Sequence, residues 1–253
     1  MFYTTLQDRF QELLDKHNLK NEPVRVTARM LSAAEAIGNP DRPDYPLLKG
    51  KEFLVQATCL GAVGQAYADD LDEYDGPLHR VANLPLDSTK HRGLFTATLN
   101  AVVRALDPDL RTVHCKDAQP AQCAEEMGRR IREADGAPAG VARVGLVGLQ
   151  PAILSVLSRT LGPEHVACLD RDREYVGKSK CGVPIAYGDE AAAEALFQDS
   201  DLVLATGSTL VNGSLPGLLD AAERNGTPLR FFGTTIAGTA RLLDLPRWCF
   251  QAH

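Results

Sequence analysis

Leu6, Phe10, Leu13 and Leu14, set against Asp8, Glu12, Asp15 and Lys16, recur at the spacing of an amphipathic helix and predict one over residues 4–17. Apolar and polar residues then alternate from Val24 to Met30, the period of a half-buried strand. Glu52–Thr58 and Val63–Tyr67 read as two more strands on either side of Cys59, Leu60 and Gly61, which predicts an antiparallel hairpin. The intervening segment AIGNPDRPDYPLLKGKE is too rich in proline and glycine for regular structure. After a loop around residues 69–84, DSTKHRGLFTATLNAVVRAL predicts a long helix started by Asp87 or Ser88 and burying Leu94, Phe95, Leu99, Val102, Val103 and Leu106. RTVHC predicts a short strand. Asp117, ahead of Ala118, Gln119 and Pro120, marks the start of a further helix running to about Arg132.

Residues 136–140, GAPAG, have the composition of a linker, and beyond them the pattern becomes an alternation of strand and helix. Strands are expected at Val144–Leu149, Val166–Leu169, Leu202–Ala205 and Leu229–Phe232, with helices at Pro151–Leu161, Ala191–Phe197, from Leu215 onward, and near Ile236–Leu243. Such alternation implies a parallel sheet. The expected fold class is therefore α/β, with an α+β domain over residues 1–136 and a Rossmann-like domain over residues 141–253.

The stretch DLVLATGSTLVNGS joins an unbroken apolar strand to a turn bearing Thr206, Gly207, Ser208, Thr209 and Asn212. Loops at the carboxyl ends of parallel strands border the ligand crevice of an open α/β sheet, so this turn is a candidate contact for a small molecule. Its hydroxyls would equally serve as helix caps. The first βα turn, VGLVGLQPAIL, has Gly148, Gln150 and Pro151 but lacks the third glycine of a dinucleotide fingerprint. Asp170 closes the second strand where an acid would hold ribose hydroxyls, which keeps an adenosine-containing cofactor such as S-adenosylmethionine open; a solvated strand-end aspartate reads the same way. Lys178 stands in a Gly-Lys-Ser-Lys turn that would meet an anion or lie exposed.

A formal net charge of −6 and no long basic run argue against nucleic acid or an anionic membrane as partner, and point to a small-molecule ligand. No apolar run approaches a spanning helix and the N-terminus has no signal core, so a cytoplasmic protein is expected. Symmetric dimers being the commonest oligomers, a homodimer is the expected assembly. The six cysteines, Cys59, Cys115, Cys123, Cys168, Cys181 and Cys249, form no C-x-x-C pair. Within VHCKDAQPAQC, however, His114, Cys115 and Cys123 offer an imidazole and two thiols, soft donors that suit a transition metal. A thiol in the first turn of a helix has its thiolate favoured by the dipole. Against this, the spacing matches no closed metal site, His114 and Cys115 in one strand would face opposite ways, and each is also an ordinary core residue.

GNPDRPDYPLLKGKE, LPLDSTKHRGLFTATLNAVVRAL, TVHCKDAQPAQCAEE, VGLVGLQPAIL, and LATGSTLVNGS followed by FFGTTIAG together resemble the family named "putative heavy-metal chelation", over nearly the whole chain. The resemblance implies an enolase-N-terminal-like domain followed by a Rossmann-like domain, with a ligand cleft between them. It implies a role in binding or processing a heavy-metal chelate or chelator precursor. The Rossmann side of that cleft would be lined by Gly148, Gln150, Pro151, Asp170, Thr206–Thr209, Asn212, Thr234 and Thr235. The alternatives are a small-molecule transferase using S-adenosylmethionine and a non-catalytic sensor or scaffold.

Overall fold

The computed structural model of the chain describes residues 1–253 apart from 31, 33, 34, 36, 41, 46, 47, 49–52 and 71. The predicted start of a strand at Glu52, and much of the proline-rich segment before it, lie outside the described residues. The chain is a mixed α/β fold built on two sheets.

Helix α1 (Phe2–Lys16) buries Leu6, Phe10 and Leu14, the stripe that the spacing predicts. The first sheet has the order β3-β2-β1-β4, from β1 (Pro23–Met30), β2 (Phe53–Cys59), β3 (Ala62–Ala68) and β4 (Tyr74–Pro77), and every pairing in it is antiparallel. Strand β1 alternates exposed and buried positions from Pro23 to Ala28, because only one face meets the core. Strand β4 and the short helix α2 (Leu78–Ala82) occupy part of the stretch expected to be a loop.

The long helix α3 (Thr89–Leu106) is capped by Ser88, whose hydroxyl accepts from His91 N–H at 3.2 Å. It buries every residue from Gly93 to Val103, since it is covered by the first sheet on one side and by the C-terminal half on the other. A Cβ on Gly64 would stand 2.2 Å from the backbone N of Ala101, so the helix lies directly on the β3 backbone. Helix α4 (Gln119–Glu133) follows, and packs on α5 (Pro151–Leu161) from beyond the linker.

The second sheet has the order β10-β9-β5-β6-β8-β7. Strands β5 (Val144–Val147), β6 (Val166–Asp170), β8 (Val183–Tyr187), β9 (Leu202–Thr206) and β10 (Leu229–Phe232) are parallel, and β7 (Ser179–Lys180) is an antiparallel edge. The β7–β8 hairpin interrupts the expected strand-helix alternation. Strand β9 is buried on both faces: Val203 and Ala205 join the cluster holding α3, and Leu202 and Leu204 join the one holding α4 and α5. The helices α6 (Glu190–Gln198), α7 (Thr209–Asn212), α8 (Leu215–Asn225) and α9 (Ala237–Leu242) complete this half.

RTVHC is not a strand. Thr112 and Val113 N–H both donate to His253 O at 2.8 Å, His253 N–H donates to Val113 O at 2.9 Å, and Thr112 O accepts from Gln65 N–H. These few bonds tie the segment between β3 and the C-terminus without a continuous ladder. Asn100, fully buried in α3, joins the two halves: its amide nitrogen donates to Gln65 O, Thr234 O and Thr235 O, and its amide oxygen accepts from Gly238 N–H at 2.6 Å.

Candidate functional site

The chain runs from β5 outward through β6 and β8, then returns to β9 on the other side of β5, so the strand order reverses between β5 and β9. Adjacent loops diverge at such a point and leave a crevice beyond the carboxyl ends of the strands. There the structure has a cavity of about 1290 Å³, lined from the second sheet by Val147–Gln150, Asp170, Thr206–Thr209, Asn212 and Phe232–Thr235. The first half contributes Tyr67, Ala68, Asp69, Thr89, His114, Cys115 and Cys123. Of the candidate residues, Gly148, Gln150, Asp170, Thr206, Gly207, Ser208, Thr209, Asn212, Thr234, Thr235, His114, Cys115 and Cys123 all line this cavity. Pro151 is buried as the first residue of α5, and Lys178 is exposed on the turn before β7, outside the lining.

The β5–α5 turn is built to close on itself. Leu149 N–H donates to Asp170 Oδ2 at 2.6 Å, Gly148 N–H to Leu169 O at 2.8 Å, and Ile153 N–H to Gln150 Oε1, the cap of α5. Pro151 has no N–H to offer. Several donors that a phosphate would need at this helix start are thus used or missing. Asp170 also accepts from Asp172 N–H at its other oxygen, so the acid placed to hold a ribose is already shared between two backbone groups. Gly148 sits at φ +87°, and a Cβ there would meet Thr206 Cγ2 at 2.5 Å; the turn after β5 and the end of β9 touch directly.

The turn after β9 is different. Neither α7 nor α8 has a side-chain cap, although Ser208 and Ser214 stand at the cap positions. Thr209 Oγ1 donates to Thr206 O at 2.7 Å, and Asn212 Oδ1 accepts from the Ser214 backbone and hydroxyl. The Thr206 and Ser208 hydroxyls meet each other only at 3.4 Å, at the cavity wall. The rim carries Asp69, Asp170, Asp172, Asp189, Glu190 and Asp220 against Arg171 and Arg224, an excess of carboxylate that favours a cationic ligand. Arg224 is itself paired with Glu194.

At the other end of the cavity lie thiols. His114 and Cys115 both line it, contrary to the opposite-face expectation, because the segment is not a strand. His114 is held away from a ligand role: Gln65 Oε1 accepts from its backbone N–H at 3.0 Å and faces its Nδ1 at 2.6 Å, while Nε2 faces Glu35 O at 3.4 Å. The sequence reading missed Cys249. Residues 246–248 run beside β10, with Phe231 N–H donating to Pro246 O and Trp248 N–H to Phe231 O, and this delivers Cys249 to Cys123. The only signal in the sequence was an unassigned cysteine near the end of the chain.

The Cys123 thiol accepts from Phe250 N–H at 3.4 Å and lies beside the side chain of Cys249. Its pKa is raised, first by the neighbouring Cys249 and then by burial, so the helix dipole does not make Cys123 the thiolate. Cys249 is shifted the other way: the Cys123 thiol, the nearby Arg247 and Gly233 N–H hold its pKa below the ordinary thiol range, against its burial. Burial pushes Cys115 up to about 12, with Cys249 adding to the shift. Soft sulfur donors are therefore present, but among the described residues no three His, Cys, Asp or Glu side chains are grouped to hold a metal ion.

No described helix is long and apolar enough to cross a membrane. No curated protein matches the chain. Among solved structures, a protein of unknown function from the DUF364 family of Pyrococcus horikoshii superposes with a TM-score of 0.55 at 16% identity, over 94% of this chain and 82% of that one. Another protein of unknown function from the same family, from Desulfitobacterium hafniense DCB-2, gives 0.50 at 16% identity, over 76% of this chain and 71% of that one. At this identity the likeness is one of fold. The sequence model of the same family matches residues 139–236, a span holding β5 to β10 and their cavity loops; the three motifs of the resemblance that precede residue 139 lie outside it. Residues 139–236 thus carry the signature of the DUF364 family, described as "Putative heavy-metal chelation", on a fold similar to that of two of its members.

Proposed function

We propose that the crevice beyond β5 and β9 binds a small polar ligand carrying or destined to carry a heavy-metal ion, a metal chelate or its chelator precursor. The observation that carries this reading is the turn after β9. Its Thr206 and Ser208 hydroxyls line the cavity and cap neither of the helices that follow. The acid-rich rim supports a ligand with cationic character over a phosphate, and the closed β5–α5 turn supports the same choice. The family description adds a metal-related role.

The test is equilibrium dialysis of the full chain against copper(II), nickel(II) and cobalt(II), each offered alone and as its ethylenediamine complex, which keeps the positive charge. The double variant T206V/S208A removes two hydroxyls without touching the thiols. At about 1 kcal/mol for each lost hydrogen bond, its affinity for the bound complex falls roughly 10-fold or more. Equal binding by variant and wild type would contradict the assignment of this turn to the ligand.

A further inference from the structure

Three cysteines from three separate segments line the cavity near one another: Cys115 at the end of residues 111–115, Cys123 on α4, and Cys249 following the stretch beside β10. Phe250, the residue after Cys249, donates its N–H to Cys123 Sγ at 3.4 Å, so the Cys249 side chain stands beside Cys123 at the cavity wall. Arg247 and the Gly233 backbone, joined by the Arg247 Nε bond to Gly233 O, lie near Cys249. The segment carrying Cys249 is fixed at both ends. Trp248 N–H donates to Phe231 O at 2.7 Å, Arg247 Nε donates to Gly233 O at 2.9 Å, and His253 is tied to residues 112–113. The pair is thus held by the fold rather than by chance proximity of mobile side chains. His114, which would add a nitrogen donor, is committed to Gln65 and faces Glu35 O.

From this arrangement we propose that Cys123 and Cys249 form a dithiolate site for a soft ion of low coordination number, with copper(I) as its type. The proposal rests on the reading of the cleft as a place where heavy metal is handled, and adds the class of ion and its donors. Zinc requires about four ligands in a closed structural site, and among the described residues no three His, Cys, Asp or Glu side chains, Cys115 with the pair included, are placed to hold one ion. Two thiolates are a natural pair for copper(I), which soft sulfur selects. On coordination each S–H bond still present breaks and its proton leaves to solvent. Two copper–sulfur bonds form, and neither sulfur nor copper changes oxidation state. Cys115 lies beside the pair, within reach of the same charge.

The test uses the full chain, reduced and kept anaerobic, titrated with copper(I) in competition with a chromophoric copper(I) chelator. The expected result is one copper per chain with thiolate-to-copper absorption, and a loss of affinity of roughly 100-fold in C123S and in C249S. C181S, at an exposed cysteine outside the cavity, is expected to bind as the wild type does. Because a serine at buried Cys123 or half-buried Cys249 could disturb folding, alkylation of the wild type is mapped by mass spectrometry with and without copper(I). Protection confined to Cys123, Cys249 and their neighbour Cys115 supports the site. Copper that protects Cys181 instead, binds equally to C123S and C249S, or does not bind at all overturns it. T206V/S208A is expected to bind copper(I) as tightly as wild type, so a failure of the loop assignment and a failure of the dithiolate give different patterns.

Discussion

Asn100 is the residue on which the relation between the two halves depends most. It is fully buried and meets three carbonyl oxygens and one N–H, from β3, from the turn after β10 and from α9. N100A removes a partner from each of these groups in a buried setting, although Thr234 O keeps the Ala237 N–H. The expected cost is roughly 2–4 kcal/mol of stability, read from the midpoint of urea denaturation. A loss below about 0.5 kcal/mol, the level of a surface substitution, would show that the surroundings rearrange and that Asn100 is not a clamp. Nothing in the helical pattern of LFTATLNAVVRAL distinguished this asparagine, because the groups it bonds are more than thirty residues away in sequence. Cys249 escaped notice for the same reason: its partners are at positions 115, 123, 233 and 247, and spacing rules read only near neighbours. His114 was legible as a polar residue beside two cysteines, but its commitment to Gln65 was not.

Elements whose stability is decided locally were read closely from sequence. Helix α1, the β2–β3 hairpin, α5 and β9 carry their period and their punctuation within a few residues. The start of α3 is one such case. Ser88 supplies the only side-chain cap on that helix, so S88A should cost about 1 kcal/mol while S88G, which keeps the extended backbone at the cap, should cost a few tenths. Thermal unfolding of the two variants decides it; equal losses would mean that the hydroxyl contributes nothing. Elements set by distant partners were harder to read. RTVHC has a strand-like composition but finds its bonds at His253 and Gln65 in ones and twos. The short β7, with two residues, is held by β8 and cannot announce itself by alternation. Asp117 precedes a helix in sequence, yet its carboxylate accepts from Asn39 N–H instead of capping α4.

Across the whole molecule, the two hydrophobic clusters do not follow the linker at residues 136–140. One joins α1, the first sheet and α3 to α6, α8 and β9; the other joins α4 to α5, β5 and Trp248. The cavity inherits this arrangement, with strand-end loops on one side and the segment 114–123 and Cys249 on the other. Parallel strands and their carboxyl-end loops could be recognised from residues 144–236 alone. The thiol end of the cavity needed the C-terminus brought back across β10. The central claim is that this cavity handles a heavy metal. Elemental analysis gives the most direct measurement: metal atoms per chain, on untagged protein purified anaerobically without chelators and then exposed to copper(I), copper(II), nickel(II) and cobalt(II) before gel filtration. The account predicts close to one atom of a single transition metal per chain, retained through the column. Protein that emerges free of metal from every exposure would contradict it.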